Sequence, residues 1–156
     1  MDGERGTALS DMEKLRLLLD VSRLVAGKLE LRPLIREVLK QASRLVHADR
    51  TTLWLYDEDS GELYSFVGEG WDDEKRISLG TGVAGHAAAE RRVIAIADAY
   101  DSELFDPTLD KATGYRTRSL LAVPIESHEG KLLGCLQAIN RLDDADGRTL
   151  VAFDPM

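Results

Sequence analysis

The sequence predicts an α+β fold built on an antiparallel sheet, and three observations carry that prediction. Before residue 47, apolar residues recur at helical spacing; from Thr51 onward they recur at alternate positions. The alternating runs are short and joined by turns rich in Gly, Asp and Ser, which make hairpins rather than parallel crossovers. The order is two helices, three strands, a short helix, a strand, an irregular segment and two strands. No βαβ unit is repeated, which favours an antiparallel sheet over a doubly wound one.

Residues 1–10 read as a polar, flexible leader and residues 11–156 as a single domain, long enough to bury a core without disulfides. Ser10 or Asp11 can cap a first helix, with Glu13 placed for a capping box on Ser10. Leu15, Leu18, Ser22 and Val25 form one heptad-spaced stripe; Leu17, Val21 and Leu24 form a second beside it. Two stripes can make one wide core face, or the second can face a helix from another copy, and spacing leaves both open. A second helix is expected over 32–46, with Pro33 in its first turn and His47 and Asp49 at its end. Leu34, Val38 and Leu45 edge its apolar face, with Ile35, Leu39, Ala42 and Val46 alongside.

Strands follow over 51–56 and 62–67, a hairpin turned by the acidic, Gly-closed segment 57–61. The polar strand expected over 74–79 suits a sheet edge. A short helix over 83–90 and a strand over 93–97 lead into an irregular acidic segment. Two long strands, 119–126 and 132–140, close the sheet around a turn at His128, Glu129 and Gly130.

The net charge of −8 argues against a nucleic-acid backbone or an anionic membrane as partner. A lone Cys135, no apolar run near the length of a membrane span and no signal-peptide pattern together read as a cytoplasmic protein.

Several motifs imitate chemistry that their surroundings do not support. Gly80-Thr81-Gly82-Val83-Ala84-Gly85 matches G-x-G-x-x-G, and Asp98 ends the next strand. Yet the preceding strand is too polar for the centre of a parallel sheet, and the helix is too short for a crossover. Two readings of these glycines stay open: a tight strand-to-helix turn, or backbone N–H groups that accept an anion. Asp143 to Gly147 lacks the ligands of a calcium loop at positions one and twelve. Cys135 lies in an apolar strand, where a thiol packs inertly, and His86 is a single histidine without a triad or metal partner.

The segment from Asp98 to Pro124 is the most informative. It sets Asp106, Asp110, Thr113 and Thr117 against the start of a buried strand, which is how a pocket acquires hydrogen-bonding walls. Asp98-Ala99-Tyr100, Phe105, Asp110 and the run Thr113-Gly114-Tyr115-Arg116-Thr117-Arg118-Ser119 resemble the GAF domains of cyclic-nucleotide phosphodiesterases and adenylate cyclases. So do Gly82 to His86, Val123-Pro124-Ile125 and Ala138 to Arg141.

The resemblance implies a GAF fold: a six-stranded antiparallel sheet with terminal helices on one face and a lidded ligand pocket on the other. It implies a regulatory sensor domain rather than an enzyme, with any catalysis in an attached effector. The ligand it implies is a cyclic nucleotide, with no cofactor or metal, in a homodimer formed through the N-terminal helix. Its ligand-binding positions would be Thr52 on the first strand, Val83 and Ala84 at the short helix, Asp110, Thr113 and Thr117 in the lid, and Gln137 on the last strand. Some guanine-binding relatives place an aspartate near Val67 and Gly68; this sequence has no acid there until Glu69, which favours cyclic AMP over cyclic GMP. The family signature N-K-x(n)-F-x(3)-D-E is matched by Asn140 and Phe153, with Arg141 in place of the lysine; the sequence stops before its aspartate, as expected of a domain cut before its C-terminal helix. The alternative is a GAF dimerisation module without a nucleotide, or with another small ligand. Relatives that reduce free methionine sulfoxide need at least two cysteines, which this chain lacks.

Overall fold

The computed structural model describes residues 12, 14–19, 31–68 and 73–153. The chain divides into two units, Met1–Leu34 and Ile35–Met156. In the first, Met12 and residues 14–19 are helical, and Met12, Leu15, Leu17, Leu18 and Leu19 are exposed. The leader, the cap at Ser10 or Asp11, and stripe positions Val21, Ser22, Leu24 and Val25 lie outside the described residues.

Helix α1 spans Leu31–Leu45, with Pro33 in the first turn, where a missing N–H costs no hydrogen bond. Leu39 and Ser43 are buried and Ile35 and Ala42 half-buried, while Leu34, Val38 and Leu45 remain 58%, 58% and 81% exposed. The buried face is therefore narrower than the apolar pattern. His47 adopts φ 53°, a left-handed turn that ends the helix and delivers the chain directly into β1, Ala48–Asp57. Asp49, expected at the helix end, is thus the second residue of a strand that begins three residues earlier than alternation alone indicated.

The remaining elements are β2 (Glu62–Gly68), β3 (Arg76–Ser78), α2 (Gly82–Glu90), β4 (Ile94–Ile96), α3 (Thr108–Thr113), β5 (Leu120–Glu126), β6 (Leu132–Leu142) and β7 (Leu150–Val151). The sheet order is β3-β2-β1-β6-β5-β4, antiparallel throughout, with β7 added to the end of β6. The polar β3 lies at an edge, as its composition predicts. Three elements were not anticipated. The two-residue β7 is too short for any period to register, and the segment read as irregular contains a 3₁₀ turn, Ala99–Asp101, besides α3.

Alternation along the central strands sorts side chains onto two faces. Trp54, Leu120, Ala122, Cys135 and Ile139 pack with α2 through Val83, Ala84, Ala87 and Ala88. Leu121, Ala138, Ala48 and Phe153 gather in a second cluster. On the α1 side, Thr51 donates to the Leu39 carbonyl (3.2 Å) and shares a hydrogen bond with Ser43 (2.9 Å). The alanines of α2 let helix backbone approach the sheet closely. Gly85 is the tightest point: a β-carbon there would stand 2.8 Å from the Ser78 carbonyl oxygen.

Candidate functional site

A cavity opens on the α2 face of the sheet, holding about 720 Å³ of atom-free space with its mouth included. Three parts build it: a floor from β1 and β6, a rim from the first turn of α2, and a wall from the lid around α3.

The floor follows from strand alternation. Arg50, Thr52 and Trp54 share one face of β1, and Gln137 pairs with Thr52 across β6. Arg50, Trp54 and Gln137 line the cavity, and the Trp54 indole N–H donates to Gln137 Oε1 at 2.8 Å. Thr52 does not reach the wall. It is fully buried between Arg50 and Trp54, and its hydroxyl has no hydrogen-bond partner among the described residues.

At the rim, Thr81 precedes α2 in extended conformation and makes no side-chain cap. The helix thus starts with uncapped N–H groups at Gly82, Val83 and Ala84, all bordering the cavity. His86 instead bonds back to the Gly82 carbonyl through Nδ1 at 2.7 Å. Asp106 faces the same rim. Its carboxylate accepts from the Thr108 hydroxyl (2.5 Å) and N–H (3.0 Å), which hold it below the usual carboxylate range.

The lid wall is held from within. Asp110, 7% exposed, accepts from the Tyr100 hydroxyl (2.8 Å), the Thr117 N–H (2.8 Å) and the Thr117 hydroxyl (2.7 Å). Thr113 donates to the Leu109 carbonyl at 2.8 Å. Tyr115 donates to Asp49 (2.6 Å), accepts from Asn140 (2.8 Å) and lies under the Arg50 guanidinium, 4.0 Å from its ring centre. Burial, and then the Asp49 carboxylate, raise the Tyr115 pKa well above the ordinary phenol value. Asn140 is itself left-handed (φ 58°), which turns its side chain out of the strand register. It donates to the Arg116 carbonyl (2.9 Å) and accepts from the Arg118 N–H (2.6 Å), tying the lid's exit to β6.

Six of the seven positions expected to bind a ligand line this one cavity: Val83, Ala84, Asp110, Thr113, Thr117 and Gln137. Asp106, read from the sequence as part of the pocket segment, lines it too; sequence reasoning passed over Arg50, Trp54 and Tyr115 as lining residues. The signal for the first two was present, since Arg50 and Trp54 flank Thr52 at period two, but a strand begun at Thr51 leaves Arg50 unplaced. Among the described residues, no group of three His, Cys, Asp or Glu side chains is placed to hold a metal, and no helix is long and apolar enough to cross a membrane.

The sequence model of the GAF domain matches residues 30–153. The chain belongs to the GAF domain family. GAF domains are regulatory sensor modules, and the sheet order and lid described above are this family's architecture. The chain is 32% identical over 152 residues to the dual 3',5'-cyclic-AMP and -GMP phosphodiesterase 11 of Drosophila melanogaster, covering 86% of this chain and 10% of that protein. It is 29% identical over 162 residues to the cGMP-specific 3',5'-cyclic phosphodiesterase of Drosophila erecta, covering 94% and 14%. The chain therefore spans only a small part of these relatives' length. Among solved structures, the GAF domain from a phosphoenolpyruvate-protein phosphotransferase of Coxiella burnetii superposes with a TM-score of 0.63 at 23% identity, over 83% of this chain and 79% of that one. At that identity the likeness is one of fold.

Proposed function

We propose that this GAF domain binds a cyclic nucleotide in the cavity and relays its occupancy, through a homodimer, to an effector elsewhere in a longer parent protein. The observation that carries the reading is the pairing of uncapped α2 amides with the cationic Arg50 around one small-molecule cavity. Helix N-terminal amides and a guanidinium suit a phosphate, and a floor of mixed aromatic and amide groups suits a purine. The likeness to cyclic-nucleotide phosphodiesterases supports the same ligand class. Catalysis would lie in the attached effector, and a cytoplasmic setting fits the single buried thiol.

The ligand-contacting set proposed here is Val83 and Ala84 through backbone, with Thr113, Gln137 and Arg50 through side chains. Thr52 would join only if a ligand reached its buried hydroxyl, and Asp110 and Thr117 act first on each other. Val67 and Gly68, the last described residues of β2, carry no carboxylate for a guanine's donors, and the first acid after them is Glu69, which favours cyclic AMP. The exposed Leu34, Val38 and Leu45 of α1 favour a second reading, a dimerisation module that takes no nucleotide.

The test is calorimetric titration of the refolded, ligand-stripped chain with cyclic AMP and cyclic GMP. Saturable binding near micromolar or tighter (about −8 kcal/mol), weakened in Arg50→Ala, is the expected outcome. A folded protein giving no heat with either nucleotide would leave the dimerisation reading standing.

A further inference from the structure

We propose that Trp54 is a positioning residue: it locks the Gln137 side-chain amide with its NH₂ group toward the cavity, so that the floor admits a ligand edge bearing hydrogen-bond acceptors. This rests on the reading of the cavity as a ligand site. Trp54 is 1% exposed, and its Nε1–H lies 2.8 Å from Gln137 Oε1. An indole N–H can only donate. The reversed amide would set two donors face to face and strand a buried N–H, so the oxygen must point at Trp54. With that oxygen occupied, Gln137 has N–H groups left to offer.

The surroundings reinforce the polarity. Arg50, two residues from Trp54 on the same strand face, also only donates. The buried carboxylate of the lid, Asp110, is already taken by Tyr100 and Thr117. A ring nitrogen or exocyclic oxygen therefore meets the donor groups of Gln137 and Arg50 on this floor, whereas the exposed carboxylate that could accept from an N–H, Asp106, stands at the rim. An amide without the indole could turn over and accept either edge. The lock converts a two-way group into a one-way group.

The test has two arms, and the first needs no ligand. In NMR of the unliganded full chain, the Trp54 indole proton is expected to exchange slowly with solvent and to show a through-hydrogen-bond coupling to the Gln137 amide carbonyl carbon. A freely exchanging indole N–H, or coupling to another group, overturns the proposal. The second arm measures binding of cyclic AMP and its 1-, 3- and 7-deaza analogues, each lacking one ring acceptor. One analogue is expected to bind about tenfold more weakly, and the penalty should vanish in Gln137→Leu and shrink in Trp54→Phe. Penalties unchanged in both variants overturn it. If the parent nucleotides do not bind at all, the ligand reading falls, while the NMR arm alone decides the role of Trp54.

Discussion

Asp110 has the composition of a ligand-binding acid and the hydrogen bonds of a structural one. Its carboxylate takes three donors from Tyr100 and Thr117, which staple α3 to the segment entering β5. Asp110→Ala should therefore destabilise the fold by about 2–3 kcal/mol, because it leaves buried donors unpaired. Urea unfolding measures this, with Asp110→Asn expected to lose about half as much. Binding lost in Asp110→Ala thus reports on the lid's integrity, and Arg50→Ala is the cleaner probe of contact. A second residue-scale prediction concerns alkaline pH. Burial pushes the Cys135 thiol from 9.0 up to about 12, and burial and Asp49 raise the Tyr115 hydroxyl. Both groups keep their protons in the folded chain after the unfolded chain has released them. Their contribution is intact below about pH 9 and lost as pH climbs from there through about 12. Stability should fall by about 1–2 kcal/mol by about pH 10.5, and Cys135→Ala with Tyr115→Phe should flatten that limb in denaturant titrations across pH.

At the scale of elements, Gly85 decides how closely α2 approaches β3. Gly85→Ala would press a methyl against the Ser78 carbonyl, and the backbone there cannot yield without shifting the strand. A loss of about 1–3 kcal/mol is expected, read as a lowered melting temperature. Alanine at Gly61 meets open space but has φ +69°, so its cost would be one of backbone conformation alone. The elements themselves were largely legible in the sequence because the period changes from 3.6 to two within a few residues of His47. The start of β1 was not legible: Ala48, Asp49 and Arg50 have little strand preference, and only their pairing with β6, Ala48 to Arg141 and Arg50 to Ile139, makes them sheet. α3 was hidden for a related reason. Six residues between Pro107 and Gly114 are too few to show a helical stripe, and the turn holds because Asp110 is anchored from outside it by Tyr100 and Thr117. In the site, the glycine turn left open an anion-accepting start to α2, while Val83, Ala84 and Gln137 came from the family resemblance. The commitment of Asp110 to Thr117 depends on how the lid folds back, which no local pattern encodes.

For the molecule as a whole, the proposed relay makes the exposed edge of α1 its output surface. Val38 is 58% exposed, so Val38→Glu should leave folding stability within about 0.5 kcal/mol. It should also shift sedimentation toward a monomer if this edge pairs with a second copy; a chain that is monomeric before the substitution would remove the dimer from the proposal. The relay also has a short route available. In β1, Thr51 bonds to α1 on one side of the sheet, while Arg50 and Trp54 line the cavity on the other. Adjacent residues of one strand thus face different tasks, and the pleat keeps the tasks separate. Substitutions at Arg50 and Trp54 can retune what the cavity accepts while leaving the contact with the helix chemically unaltered. Recognition and output can then drift independently, and one scaffold can be fitted to new signals without rebuilding the part that reports them.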